Sequence, residues 1–158
     1  MRQSARLKKN IEMKKKKPSK LLFPQSQALP EQVFQTTNSF HPFLVIPYLG
    51  SHVLKISNDE GCKEFLKSID EKYLEAWLKL KDGAHKADLW RYVVLYEFGG
   101  IYLDIKCKPL KDLSEIFKVN KSSKFTWFTC KAGLDKCSIH NGIIATPPKN
   151  PILLKCIE

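Results

Sequence analysis

Residues 84–98 contain no glycine or proline, and Ala87, Trp90, Val94 and Leu95 recur there at steps of three and four. That spacing places them on one face of a helix. Gly99-Gly100 follows and supplies the special backbone angles that end helices. Ile101, Tyr102 and Leu103 are β-branched, aromatic and apolar in turn, which predicts a short strand, and Asp104 closes it. A carboxylate at the C-terminal end of a strand in an α/β sheet stands where such sheets bind ligands. The stretch 82–110 is therefore the centre around which the other segments are read.

Upstream, residues 32–37 predict a first strand. Residues 43–47 predict a buried strand stopped by Pro47 and Gly50, and the alternation over 52–56 predicts another. Ser57 and Glu60 have capping-box spacing, so a helix is expected next, with Cys62, Phe65 and Leu66 on its apolar side. A second helix over 71–81 would gather Tyr73, Leu74, Trp77 and Leu78 on one face and end at Asp82-Gly83. Downstream, Lys108-Pro109-Leu110 turns the chain, 113–117 is a short helix, 120–123 a loop and 124–130 an aromatic-rich strand. His140-Asn141-Gly142 breaks the chain before a strand at 143–146, and the prolines of 147–151 turn it into an apolar helix over 152–158. No internal repeat is visible. Strands and helices interleave, the pattern of an α/β fold.

Length and charge narrow the picture. A chain of 158 residues is long enough for one real core. Nothing approaches the ~18 consecutive apolar residues of a membrane span, and the basic start is not followed by the apolar segment of a secretory leader. Residues 1–20 hold nine basic side chains against the single acid Glu12, so most of the net charge of +11 belongs to this tail. Residues 1–28 are read as a basic disordered tail and linker, and 29–158 as the domain. Such a tail can contact an anionic membrane or nucleic acid, although aromatics are not interleaved with it as base stacking requires. The five cysteines are odd in number and form no CxxC pair; a lone Cys130–Cys137 bridge is compatible with them, and Cys130, Cys137 and His140 lack the spacing of a common zinc site.

The chemistry concentrates at the centre. There is no P-loop, dinucleotide fingerprint or nucleophile elbow. Asp88 and Arg91, three apart, share a helical face and can pair. On an exposed surface such a pair would contribute under ~1 kcal/mol. Glycines, an arginine, aromatics and a strand-end aspartate suit a diphosphate-bearing ligand, whose charge a carboxylate-bound divalent cation can neutralise.

The run Ala87-Asp88-x-x-Arg91-x-x-x-Leu95-x-x-x-Gly99-Gly100-x-Tyr102-x-Asp104 resembles the DXD-containing sugar-binding region of glycosyltransferase family 32, which includes α-1,6-mannosyltransferases. Weaker likeness extends over Leu29-Pro30-x-x-Val33-Phe34-Gln35-Thr36, over 58–65 and over 141–154. The resemblance implies a GT-A-like α/β fold for a nucleotide-diphospho-sugar transferase, C-terminally truncated and short between Thr36 and His52. It implies transfer of a hexose from a nucleotide sugar to a glycan or glycolipid acceptor, with retained anomeric configuration, and a Golgi or secretory setting for a typical eukaryotic member. Asp104 would hold Mn²⁺ or Mg²⁺ and the donor phosphates. Asp88 would contact the donor sugar or ribose, Arg91 would orient it, and Asp104, Asp88 and Arg91 together would be the catalytic set. Gly99 and Gly100 would let the backbone come close, with Tyr102 packing beneath and Gln35 and Thr36 lining the nucleotide. At the second acid of the motif this chain has Lys106. A charged lysine cannot ligate a cation. Three readings follow: Asp104 binds metal with help from elsewhere, Lys106 itself neutralises the diphosphate, or the domain is an inactive relic that binds a nucleotide sugar or a partner.

Overall fold

The computed structural model describes residues 29–37, 45–117, 128–131 and 139–158. The expected tail and linker, the loop at 120–123, residues 43–44 and 124–127, and the Cys130–Cys137 pairing lie outside what it describes. Strands β1 (Gln32–Thr36), β2 (Val53–Ser57), β3 (Gly100–Leu103), β4 (Phe128–Lys131) and β5 (Ile139–Thr146) form one sheet in the order β2-β1-β3-β5-β4. β1 pairs in parallel with both β2 and β3, whereas β5 runs antiparallel to β3 and β4. The helices are α1 (Asp59–Ile69), α2 (Glu71–Lys79), α3 (Gly83–Phe98), α4 (Leu113–Ile116) and α5 (Pro151–Ile157).

Alternation along the strands builds a core on each face of the sheet. The register puts Phe34 beside Tyr102 and Tyr102 beside Ile144, one row facing α1, α2, α3 and α5. Val33, Ile101 and Ala145 form the opposite row, which packs with Leu29, Val45, Leu113 and Phe117. α3 touches β3, α1, α2 and α5 together. It therefore buries Trp90, Arg91, Val93, Val94 and Leu95, more than the single stripe its spacing predicts. Gly99 caps it at φ 63°, and β3 begins at once with Gly100 at φ 103°.

Four local expectations are corrected. The strand expected at 43–47 is, over its described part, the start of a 3₁₀ turn at Ile46–Tyr48. There Tyr48 N–H donates to Val45 at 2.9 Å and Pro47 needs no donor. The cap of α1 is Asn58, whose side chain accepts from Gly61 N–H at 2.9 Å, while Ser57 is held in β2, its carbonyl accepting from Thr37. α2 ends at Lys79, and Asp82 opens α3 rather than closing α2, its carboxylate accepting from Ala84 N–H at 2.7 Å. Finally, β5 runs unbroken through Asn141-Gly142, because Gly142 C=O accepts from Asp104 N–H at 2.8 Å.

Candidate functional site

Halfway along α3 the chain buries a guanidinium: Arg91 is only 4% exposed. A buried charge is tolerated when paired and hydrogen-bonded throughout, and the partners come from three elements. Arg91 reaches Asp88 Oδ1 at 3.1 Å one turn back and Asp104 Oδ1 at 3.3 Å just past β3. It also donates to the carbonyls of Asn141 at 2.7 Å and Ala87 at 3.3 Å. Its guanidinium carbon lies 4.3 Å from the centre of the Tyr102 ring, a cation–π contact that uses the planar head of arginine.

Around this hub the other groups are fixed. Tyr102 O–H donates to Asp104 Oδ1 at 2.9 Å, and Asn141 Nδ2 donates to Asp88 Oδ1 at 3.0 Å and to the Tyr92 hydroxyl at 3.1 Å. Burial pushes the Tyr102 phenol well above its usual range; Arg91 opposes that shift, the Asp104 charge reinforces it and a hydrogen bond with Thr36 lowers it. Tyr102 is thus a permanent donor that holds Asp104. With Oδ1 of Asp104 taken by Arg91 and Tyr102, Oδ2 lies over Gly142, where a Cβ would stand 2.4 Å from it.

A cavity of about 730 Å³ opens at this point. Thr36 and Thr37 at the end of β1, and Tyr102, Asp104, Ile105 and Lys106 at the end of β3, form one side. Lys81, Lys86, Ala87 and Arg91 form another, with Cys62 and Trp77 below. The position, beyond the carboxyl ends of parallel strands, is where α/β sheets bind ligands. Burial keeps the Cys62 thiol protonated, its pKa pushed up to about 12, so it is an inert part of the wall.

Of the residues singled out in the sequence, Asp104, Arg91, Tyr102, Thr36 and Lys106 meet at the cavity. Asp88 supports Arg91 from the adjoining turn. Gln35 is fully buried in β1, and neither atom of its amide has a hydrogen-bond partner among the described residues. Gly99 and Gly100 lie at the other end of β3. The close approaches they permit are to Pro148 N, 2.6 Å from a Cβ on Gly99, and to Gln32 O, 2.7 Å from one on Gly100. Both serve chain packing there. Tyr92, Asn141 and Gly142 were not legible as site residues. Asn-Gly reads as a turn in sequence, and only strand pairing carries it to Arg91.

The carboxylates do not make a metal cage. Among the described residues no three His, Cys, Asp or Glu side chains group closely enough to hold a metal ion. Asp104 offers one uncommitted oxygen, and the residue two further on is a lysine. A divalent ion can draw most of its oxygens from substrate phosphate and water, so the chain's own share of such a site, among the described residues, would be this one carboxylate oxygen.

A family model described as a glycosyltransferase sugar-binding region containing a DXD motif matches residues 25–124. An uncharacterized glycosyltransferase of Acanthamoeba polyphaga mimivirus is 31% identical over 96 residues, covering 60% of this chain and 37% of the relative. Among solved structures, the PaToxG glycosyltransferase superposes with a TM-score of 0.56 at 16% identity, covering 85% of this chain and 60% of that one. The superposition shows the fold, a GT-A-like α/β arrangement. This chain spans less than two thirds of either relative.

Proposed function

Because the chain belongs to the family of glycosyltransferase sugar-binding regions containing a DXD motif, we propose that it moves a hexose from a nucleotide sugar to a glycan or glycolipid acceptor. The observation that carries this reading is the Asp88–Arg91–Asp104–Tyr102 network, of which Arg91, Asp104 and Tyr102 line the cavity. It engages Oδ1 of Asp104 and leaves Oδ2 of this cavity-lining carboxylate without a protein hydrogen-bond partner among the described residues. An oxygen left free in this way accepts from a hydroxyl of the donor sugar or ribose without reorganising during the reaction. Thr36 offers a hydroxyl from the facing strand end.

The assay follows release of nucleoside diphosphate from UDP- and GDP-hexoses. With the accepted donor, Asp104→Asn keeps the fold and lowers turnover on the order of 10²-fold, the loss typical of one preorganised electrostatic contact. Equal turnover in wild type and variant would remove Asp104 from the chemistry and the assignment with it. Donor binding without turnover in the wild type would leave a nucleotide-sugar-binding protein.

A further inference from the structure

The charge of the cavity is not that of a metal site. Lys81, Lys86, Arg91 and Lys106 line it against Asp59 and Asp104. Arg91 is already balanced by Asp88 and Asp104. Among the described residues, Lys81, Lys86 and Lys106 form no salt bridge, although lysines elsewhere in the chain pair with neighbouring acids. Lys86 is held besides: its ammonium sits 4.3 Å from the ring centre of the buried Trp77, which fixes it at the cavity wall. Lys106 stands two residues beyond Asp104, where the motif has its second acid.

These observations describe a pocket that attracts anions through ammonium groups, that of Lys86 held against Trp77. Resting on the sugar-transfer reading above, we infer that Lys81, Lys86 and Lys106 bind the diphosphate of the donor directly and replace a divalent cation. Each phosphate of a nucleotide sugar carries negative charge, and each ammonium offers three N–H donors. In the transfer, the bond from the anomeric carbon to the terminal phosphate oxygen breaks and its electron pair stays on that oxygen. The acceptor oxygen bonds the carbon, and its proton is released. The departing diphosphate gains charge at that moment, and the lysines lining the cavity stabilise it.

The experiment is calorimetric titration of the full chain with UDP and GDP, in EDTA and in Mn²⁺. Wild type binds one of them in EDTA about as tightly as in Mn²⁺, and more weakly as salt rises. Lys106→Ala and Lys86→Ala each lower affinity about tenfold or more, the worth of a charged hydrogen bond, with circular dichroism unchanged. Lys106→Asp restores the acidic pair: it loses binding in EDTA and regains it with Mn²⁺. Wild-type binding that requires Mn²⁺, or undiminished binding by both alanine variants in EDTA, would overturn the inference and leave the sugar-transfer reading intact. Absence of binding to either nucleotide in both conditions would overturn both.

Discussion

At residue 142 a single hydrogen atom decides where Asp104 sits. Gly142 has no positive φ, so its backbone is open to any residue, yet a Cβ there would stand 2.4 Å from Asp104 Oδ2 and 3.0 Å from His140 ring atoms. Gly142→Ala is therefore expected to cost only about 1 kcal/mol of stability while displacing the carboxylate. Misplacing a reacting group by an ångström costs on the order of 10²-fold in rate. Urea denaturation beside nucleoside diphosphate release separates the two effects, and a variant that loses both equally would make this glycine merely structural. Gly99 differs, since φ 63° and Pro148 backbone at 2.6 Å demand glycine for the fold alone. Sequence singled out the Gly-Gly pair and passed over Gly142, because a glycine's neighbours across a sheet are invisible in one strand.

Among the elements, α1 separates spacing from geometry. Ser57 has the residue type and the spacing of a cap, but pairing of β1 with β2 keeps it extended, and the first free amides meet Asn58 instead. Asn58→Ala should lower stability by about 1 kcal/mol. Ser57→Ala should stay within about 0.5 kcal/mol. The reverse order in urea midpoints would restore the serine cap. α3 shows the same limit at greater length. Its C-terminal boundary follows from sequence, and Asp88, Arg91 and Asp104 were all named. That Arg91 faces inward is a consequence of four neighbours packing round the helix.

For the whole molecule, stability should carry an alkaline signature. The Cys62 thiol ionises near 9.0 in an ordinary setting and is held protonated to about 12 in the fold. A pKa raised by folding contributes stability that is full below the unfolded value and is lost as pH rises through the folded one. Stability should thus decline from pH 9.0 towards 12, with Tyr102 adding to the fall above its ordinary value of 10.0. Cys62→Ala should flatten the early part of that decline in urea midpoints taken on either side of pH 9.0. An undiminished slope would mean that burial of this thiol is not its source.

Sequence alone determined the helix and strand that carry Asp88, Arg91 and Tyr102, the α/β class and the spacing that joins Asp88, Arg91 and Asp104, because periodicity and glycine stops act over a few residues. It also exposed Lys106 at an acid's position. Tertiary structure decided what these residues do to one another. Antiparallel pairing of β5 with β3 brings Asn141 and Gly142, far along the chain, to Arg91 and Asp104. Packing of α2 against α3 sets Lys86 on Trp77. The physical reason is range: backbone preference and hydrophobic period are local, whereas the field of a cavity is the sum of charges that only folding brings together.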